Sequence, residues 1–378
     1  MAYIYPVCFN DMAKVKILFT IPNFDTAGSG KALLNLVKGL DNNLYEPHIM
    51  CLHTRGDFFK TVEASGYPIH VYHYLNKARP ITTLLSGCWR VSRKFKSIKP
   101  DIIHSFNYSA DYSEGLAAKL AGIPWVFTKK NMGWGGASKN AWLLRSWLAT
   151  KIVVQNTDMI KQFYPKSKKV YLIPRGVDVN HFSLNLENSK ESNAFRYIIC
   201  VANMVPVKGI ELLIEAFNTL KGKYSNWHLL LVGDVSNPYG NMLKEQVRIL
   251  QLEDIVTFTG KVLDVRPYIH QAEVFVLPTK NEGRREGSPV ALLEAMACGK
   301  VVLGSNIPGI KDQLIEFPEA LFKAGDVTSL TLKLDSLLSL SKQDLQKKGL
   351  DYRVLVEKCF EMTQEVHKHE KLYKSVVN

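Results

Sequence analysis

Long apolar runs are missing from this sequence of 378 residues, and its six cysteines form no motif. No stretch reaches the roughly 18 unbroken apolar residues that a membrane-spanning helix needs. The first residues, MAYIYPVCFNDMAK, lack the basic start and the apolar core of a secretory signal. The cysteines stand far apart, with neither the spacing of metal ligands nor that of a redox pair. We therefore expect reduced thiols and a cytoplasmic location.

Acidic residues are scarce in the first half of the chain. Residues 1–182 hold 24 Lys and Arg against 11 Asp and Glu, whereas residues 183–378 hold 24 of each. The whole net charge of +13 thus falls in the first half. A basic surface attracts anionic lipid head groups, phosphorylated acceptors or nucleic acid. A charge bias that only keeps the protein soluble explains the same numbers equally well.

Short apolar runs typical of strands alternate with amphipathic, helix-like stretches. The runs before residue 183 are 15–22, 47–52, 69–74, 101–106, 124–128, 151–155 and 169–174, and those after it are 197–202, 228–233, 256–260, 273–278 and 300–305. This alternation predicts parallel sheets with helices on both faces. Residues 183–194 are polar and without periodicity, which indicates a linker.

The predicted fold class is therefore α/β, with two doubly wound, Rossmann-like domains facing across a cleft. We place the first domain at 1–182, the linker at 183–194 and the second domain at 195–350. The amphipathic residues 351–378 predict a long helix that crosses back to the first domain. Because doubly wound sheets bind ligands at the carboxyl ends of their strands, the active site is expected in the cleft.

A glycine cluster, Gly28-Ser29-Gly30, follows the first strand and opens a helix. The free N–H groups at a helix start bind anions, and glycine lets a ligand approach the backbone closely. The spacing fits neither a P-loop nor a dinucleotide fingerprint, so a merely tight turn is an equal alternative. In the second half, Asn203 and Lys208 lie between a strand and a helix, where a lysine can pair with a phosphate.

The block EGSPVALLEAMACG, residues 286–299, follows the strand at 273–278. Ser288 suits a helix N-cap and Pro289 suits the first helical turn. Glu286 then lies just outside the helix, and Glu294 lies inside it among apolar residues. A buried carboxylate without a partner costs several kcal/mol, so Glu294 should have one, and a ribose is suitable. The alternative is a solvated helix face.

The pattern of Glu286, seven residues and Glu294 resembles that of the retaining glycosyltransferases of family 4, which have the GT-B fold. Three further segments resemble that family in the same order: GSGKALLNL (28–36), VYLIPRGVDVNHF (170–182) and VANMVPVKGIELLIEAF (201–217). The resemblance covers nearly the whole chain. It implies a metal-independent enzyme with no cofactor, which takes a nucleotide-sugar donor; UDP is favoured as the carrier, and GDP remains open.

The resemblance also implies roles for single residues. Glu294 would hold the ribose hydroxyls, since a carboxylate can accept two hydrogen bonds from a diol. Glu286 would bind the donor sugar, and Lys208 would stabilise the charge that grows on the leaving diphosphate. The remaining donor-binding residues that we predict are Gly28, Ser29, Gly30, Asn203, Lys261, Val262, Gly287, Ser288, Pro289 and Val290.

Two departures from the family concern the cationic side of the site. Asn203 stands where many relatives have Arg, which leaves Lys208 with one cationic partner fewer. Arg284 and Arg285 are candidates for that partner, or a solvated pair. Arg175 replaces an Asn that is usual in its segment.

A third departure concerns the histidine expected near the reacting carbon. The family often has His-x-His after the fourth strand of the first domain, and here the segment reads His104-Ser105-Phe106. His104 is the remaining candidate for a catalytic histidine, although we favour an ordinary strand-end histidine. Asn107 and Asp111 are alternative polar groups in the same loop.

The acceptor side offers weaker signals. Residues 79–99 mix seven apolar residues with six basic ones, as in a helix that lies on an anionic membrane. An amphipathic helix packed on a sheet explains the pattern as well. Trp134, Trp142 and Trp147 could line an acceptor groove or belong to a core.

The resemblance implies a retaining, hexosyltransferase-type enzyme for cell-surface polysaccharide or glycolipid biosynthesis. It would transfer a sugar from a nucleotide-sugar to a saccharide or a polyprenyl- or lipid-linked saccharide, with the anionic inner face of the membrane as a further partner. A sugar-nucleotide epimerase or a phosphorylase on the same plan is the enzymatic alternative. A basic nucleic-acid-binding protein is the non-enzymatic one, but no signature of such a protein is present, so we expect no nucleic acid.

Overall fold

The computed structural model describes residues 13–25, 27–133, 138–184, 195–283 and 287–377. Contacts divide the described residues into two compact units. The first unit holds those within 1–128, 136–153 and 366–378. The second unit holds those within 129–135 and 154–365. The end of the chain thus belongs with the first unit.

A parallel sheet runs through the first half of the described chain. Its strands are β1 (Val15–Thr20), β2 (Tyr45–Cys51), β3 (Ile69–Val71), β4 (Ile102–Ser105), β5 (Trp125–Lys129), β6 (Lys151–Val154) and β7 (Val170–Leu172). The helices between them are α1 (Ala27–Gly39), α2 (Asp57–Glu63), α3 (Ile81–Ile98), α4 (Ser113–Ala121), α5 (Lys139–Leu148) and α6 (Thr157–Phe163). The strand order is β3-β2-β1-β4-β5-β6-β7. Every residue of β4 is buried, as expected for a sheet covered on both faces.

A second parallel sheet follows in the order β10-β9-β8-β11-β12-β13. These strands are β8 (Arg196–Val201), β9 (Trp227–Val232), β10 (Val256–Gly260), β11 (Val274–Leu277), β12 (Val301–Ser305) and β13 (Leu321–Phe322). The helices are α7 (Ile210–Leu220), α8 (Pro238–Ile249), α9 (Arg266–Gln271), α10 (Val290–Ala297), α11 (Ile310–Gln313), α12 (Val327–Leu338), α13 (Lys342–Cys359) and α14 (Met362–Val377). Short 3-10 helices lie at Pro206–Lys208 and Pro318–Ala320.

Each sheet has a point at which the strand order changes direction. In the first sheet β1 pairs with both β2 and β4, and in the second β8 pairs with both β9 and β11. Doubly wound sheets bind ligands at the carboxyl ends of the strands, at such a change in strand order. The predicted class of two Rossmann-like α/β domains is confirmed.

All twelve predicted strands are present, and the structure adds β13, whose two residues are too few to give a pattern. The single helix expected over 351–377 is wrong, because α13 ends at Cys359 and α14 begins at Met362. Val177 accounts for the break: its N–H donates to the carbonyl of Phe360 at 2.8 Å, and its carbonyl accepts from the N–H of Met362 at 3.0 Å. Of the predicted linker, residues 185–194 lie outside the described residues.

None of the described helices is long and apolar enough to cross a membrane. Five cysteines lie in the described part of the chain, and all five are free thiols. Four of them are buried: Cys51, Cys88, Cys200 and Cys298. Burial raises the pKa of Cys200 and of Cys298 to about 12, so these thiols stay protonated and act as core residues.

Candidate functional site

The glycine cluster lies in the first turn of α1, directly after β1. Gly28 is exposed, and a Cβ placed on it would meet no described atom within 4 Å. Gly30 is buried, and a Cβ there would lie 2.7 Å from Cδ1 of Phe24 and 3.0 Å from Cδ1 of Phe58. Gly30 therefore serves the packing of α1, whereas Gly28 is the position that leaves room for a ligand near the backbone.

His104 lies in β4 and is fully buried. Its Nδ1 is 2.7 Å from the hydroxyl of Tyr373, and its Nε2 is 2.9 Å from Oγ1 of Thr128. Its ring also contacts Phe106, with 4.7 Å between ring centroids. A histidine with both ring nitrogens engaged supports the ordinary structural role that the sequence favours. A catalytic role for His104 stays a prediction.

A buried polar network follows β1 and β4, and sequence reasoning missed it. Glu114 accepts hydrogen bonds from the hydroxyls of Thr20 and Ser105, the latter at 2.6 Å. Burial raises the pKa of Glu114, and the nearby Arg145 opposes that shift. Arg145 also donates to the backbone carbonyls of Asp111 and, at 3.3 Å, Asn107. The network thus fixes the loop after β4.

The side-chain amide of Asn107 in this loop can still donate a hydrogen bond. Asn107 is buried, and its Nδ2 has no acceptor among the described protein atoms. Asp111 instead accepts from the N–H and the hydroxyl of Ser113. Arg145 is the residue that could have revealed this network in the sequence, because it is a charged residue among the aromatic and aliphatic residues of a helix. Trp142 is buried beside it, and Trp147 is exposed.

In the second unit, the loop after β8 carries the predicted phosphate-binding lysine. Lys208 ends a 3-10 helix and is only 7% exposed, whereas Asn203 is exposed. Gly209 follows with a φ of 65°, in the left-handed region that favours glycine. A Cβ on Gly209 would lie 2.3 Å from the carbonyl oxygen of Pro278. The backbone around Lys208 therefore lies directly against the segment that follows β11.

Lys280 extends this contact between the two loops. Its N–H donates to the carbonyl of Val207 at 2.8 Å, and its Nζ lies 2.9 Å from Glu211 and 3.0 Å from Glu282. Burial alone would lower the pKa of Lys280, but the two carboxylates outweigh it and raise that pKa. We call residues 202–209, between β8 and α7, the lysine loop. Lys280 is a second cation beside this loop, and sequence reasoning did not single it out.

Residues 287–289 are held from three directions. Asn156 donates its Nδ2 to the carbonyl of Gly287 at 2.7 Å, and Gln313 donates its Nε2 to the hydroxyl of Ser288 at 2.9 Å and to the carbonyl of Pro289 at 3.1 Å. The N–H of Arg175 lies 3.3 Å from the same hydroxyl. These buried bonds fix the backbone of the segment before any ligand binds.

Gly287 itself leaves no space for a side chain. A Cβ on it would lie 2.7 Å from the carbonyl oxygen of Lys130 and 2.8 Å from Cε of Met159. The prediction of Ser288 as the helix N-cap is wrong, because Pro289 occupies that position and α10 begins at Val290. The hydroxyl of Ser288 is engaged by Gln313 instead.

Glu294 lies in the middle of α10 and is half-buried, whereas its apolar neighbours in the sequence predict a buried carboxylate. Lys261 is exposed and Val262 half-buried in the loop after β10. Lys208 and the segment 287–290 follow β8 and β11, the two neighbouring strands at the change in strand order. Sequence reasoning thus placed them correctly at one edge of one sheet, while their individual roles stay predictions.

Four residues singled out in the sequence lie outside the described residues: Trp134, Arg284, Arg285 and Glu286. Arg175, which departs from the family pattern, forms a buried ion pair of 2.8 Å with Glu365. Among the described residues, no cluster of three or more His, Cys, Asp or Glu is arranged to hold a metal ion.

Two family models match the chain, one after the other. The model described as Glycosyltransferase Family 4 matches residues 26–181, and the model described as Glycosyl transferases group 1 matches residues 184–349. The boundary between them falls in the region that the sequence assigns to the end of the first domain.

Curated relatives match over part of their length. The amylovoran biosynthesis glycosyltransferase AmsK of Erwinia amylovora is 31% identical over 203 residues, which are 51% of this chain and 48% of AmsK. The GDP-mannose-dependent alpha-(1-6)-phosphatidylinositol monomannoside mannosyltransferase of Mycolicibacterium smegmatis is 28% identical over 180 residues, 44% of this chain and 46% of that protein. The matched region therefore spans about half the length of these relatives.

The crystal structure of Anabaena HepE in complex with UDP and glucose superposes with a TM-score of 0.80, at 17% identity, over 96% of this chain and all of that one. At this identity the likeness concerns the fold alone. Together with the two consecutive family models, it gives the chain the two-domain GT-B fold.

Proposed function

We propose that this chain, with the domains and the fold of the GT-B glycosyltransferases, transfers a sugar from a nucleotide-sugar donor to a saccharide acceptor. The observation that carries the proposal is the junction of two loops at the β8/β11 change in strand order. Lys280, which follows β11, donates its N–H to the carbonyl of Val207 in the loop that ends at the buried Lys208. Residues 287–290, whose backbone is preset by buried hydrogen bonds, also follow β11. A buried cation and preset backbone groups after two neighbouring strands of one sheet suit a diphosphate.

In this proposal Glu294 accepts hydrogen bonds from the ribose, and Lys208 stabilises the leaving diphosphate. Preset polar groups lower the barrier because they need no reorganisation when charge develops. Glu286 binds the sugar, with Lys261 or Val262 beside the base. The reaction retains the anomeric configuration and proceeds without a metal. The measurements that address these two points are the product anomer, followed by NMR, and the rate in the presence of a chelator.

We favour UDP as the carrier, which is the nucleotide in the HepE complex. The mycobacterial relative is GDP-mannose-dependent by name, and GDP is therefore the alternative carrier. The names of the relatives support an acceptor in polysaccharide or glycolipid biosynthesis, saccharide or lipid-linked. We place this activity at the cytoplasmic side of the membrane.

The test is a thermal-shift panel with UDP, GDP, ADP and CMP on the wild type, on Glu294→Gln and on the control Glu253→Gln. Glu253 is an exposed carboxylate in the loop after α8. A nucleotide at a hundred times its dissociation constant should add about 2.7 kcal/mol of stability. We expect one nucleotide to stabilise the wild type and the control, and to lose its effect on Glu294→Gln. The absence of any shift at millimolar nucleotide would refute the donor site.

A further inference from the structure

Helix α3 has two apolar faces. Leu84, Cys88, Val91, Phe95 and Ile98 are buried, which confirms the inward packing expected of an amphipathic helix. Ile81, Leu85 and Trp89 are 59%, 52% and 57% exposed. These three residues recur every fourth position, so they form one stripe along the outside of the helix. Packing of the first unit accounts for the inner face and leaves the outer stripe in contact with solvent.

The stripe is surrounded by positive charge. Arg93, one turn after Trp89, places its guanidinium carbon 5.0 Å from the centroid of the indole. The exposed basic residues on and beside the helix are Lys77, Arg79, Arg90, Arg93, Lys96 and Lys99. The sequence contains no Asp or Glu between Glu63 and Asp101. No acidic residue in this stretch therefore neutralises the cations.

The helices next to α3 also carry an exposed aromatic residue and a basic residue. Helix α3 packs against α4, and α4 packs against α5. Trp147 of α5 is 63% exposed, and the ammonium nitrogen of Lys119 lies 4.1 Å from the centroid of its ring. Right-handed crossovers place α3, α4 and α5 on the same side of the first sheet. We call the outer side of this helical layer, with Ile81, Leu85, Trp89, Trp147 and the surrounding cations, the basic aromatic face.

We propose that the basic aromatic face docks the protein on an anionic lipid bilayer. Trp89 and Trp147 suit the level of the head groups, where indole rings concentrate. Leu85 and Ile81 enter the edge of the hydrocarbon, and the arginines and lysines contact the lipid phosphates. The bilayer would be a partner of the proposed transferase. Docking itself does not depend on the transferase function; only the idea that a lipid-linked acceptor is reached at this membrane surface rests on it.

Charge and chemistry favour a bilayer over other occupants. A second copy of the chain would bring the same cations face to face, and like charges repel. A nucleic acid would match the cations but would offer nothing to the aliphatic side chains of Ile81 and Leu85. An anionic membrane surface matches both, because it presents phosphates above an apolar layer.

The test is co-sedimentation of the full-length protein with vesicles of phosphatidylcholine alone and with vesicles that also contain phosphatidylglycerol. We expect binding to the anionic vesicles at low salt, and weaker binding at high salt. The variant Arg93→Gln/Lys96→Gln should reduce the partition coefficient by about fivefold per cation, on the order of 25-fold for the pair. Lys347→Gln/Lys348→Gln, which removes two exposed cations from α13, should leave it unchanged.

The apolar contribution is tested by Leu85→Ser/Trp89→Ser, against the control Leu332→Ser/Val354→Ser at two other exposed helical positions. We expect loss of binding at both salt concentrations for the first variant only. Equal binding of all variants, or equal binding to neutral and anionic vesicles, overturns the proposal. So does a dimer that the Leu85→Ser/Trp89→Ser variant dissociates, or binding to an oligonucleotide that is as tight as binding to the vesicles.

Each variant is also tested for its thermal shift with the nucleotide. An unchanged nucleotide response with lost vesicle binding supports the membrane face and leaves the donor site intact. Vesicle binding without any nucleotide response supports the face and refutes the transferase. The two proposals therefore fail separately.

Discussion

Replacing Asn156 should show whether nucleotide affinity depends on the stability of the second unit or on the position of residues 287–289. This fully buried residue caps α6, because its Oδ1 accepts from the N–H of Met159 at 2.9 Å. Its Nδ2 donates to the carbonyl of Gly287 at 2.7 Å. One side chain thus holds a helix start with one atom and the proposed diphosphate segment with the other.

Two variants remove these bonds in different combinations. In Asn156→Ser the hydroxyl can still cap α6 but is too short to reach Gly287, so a buried carbonyl is left without its donor, at about 1–3 kcal/mol. Asn156→Ala also loses the cap, which adds about 1 kcal/mol. We expect a destabilisation of about 1–3 kcal/mol for serine and about 2–4 kcal/mol for alanine.

Nucleotide affinity should follow the Gly287 bond and not the cap. Both variants should therefore weaken nucleotide binding to a similar degree, although they differ in stability. The assays are urea unfolding and calorimetric titration of the nucleotide. The matched control is Asn237, which caps α8 in the same unit through Gly240 and makes no described bond to residues 287–289. Asn237→Ala should lose stability without the same loss of affinity.

The reasoning is refuted if Asn156→Ser binds the nucleotide as tightly as the wild type. In that case the hydrogen bond from Asn156 to the carbonyl of Gly287 does not hold residues 287–289 in place. A second refutation is a nucleotide affinity that tracks stability across all three variants of Asn156 and Asn237, because the effect would then be one of general destabilisation.

Two further predictions concern the lysine loop and the response to pH. Gly209→Ala should weaken nucleotide binding by at least about tenfold, because a Cβ at a φ of 65° and 2.3 Å from the carbonyl of Pro278 displaces the loop. Calorimetric titration checks this, with Gly222→Ala as the control, since a Cβ on Gly222 meets no described atom within 4 Å. Equal nucleotide affinities of the two variants would contradict the prediction. Burial lowers the pKa of Lys300 from 10.5 to about 8. Below pH 8 the folded and unfolded chains both carry the proton, whereas between pH 8 and 10.5 the unfolded chain binds more protons, so folding stability gains with rising pH there. Urea unfolding should show the wild type gaining stability relative to Lys300→Met over that range, and a constant difference would contradict the shift.

The sequence by itself determined the strands and the positions of the segments that we propose for the donor site. Each predicted strand is a local run of apolar residues, and alternation with helices is enough to imply parallel sheets. The position of Lys208 and of residues 287–290 after two strands of one sheet followed from the same pattern. Glu294 was correctly placed on a largely apolar helix, because the other residues of that local stretch are all apolar.

Only the tertiary structure decided which distant residues hold those segments. Asn156 and Gln313 contact residues 287–289 from parts of the chain more than 20 residues away, and no spacing in the sequence links them. The same holds for the break between α13 and α14, which depends on the backbone of Val177. Local patterns report which side of an element is apolar, whereas a hydrogen bond between remote segments exists only once packing has brought the two groups within about 3 Å.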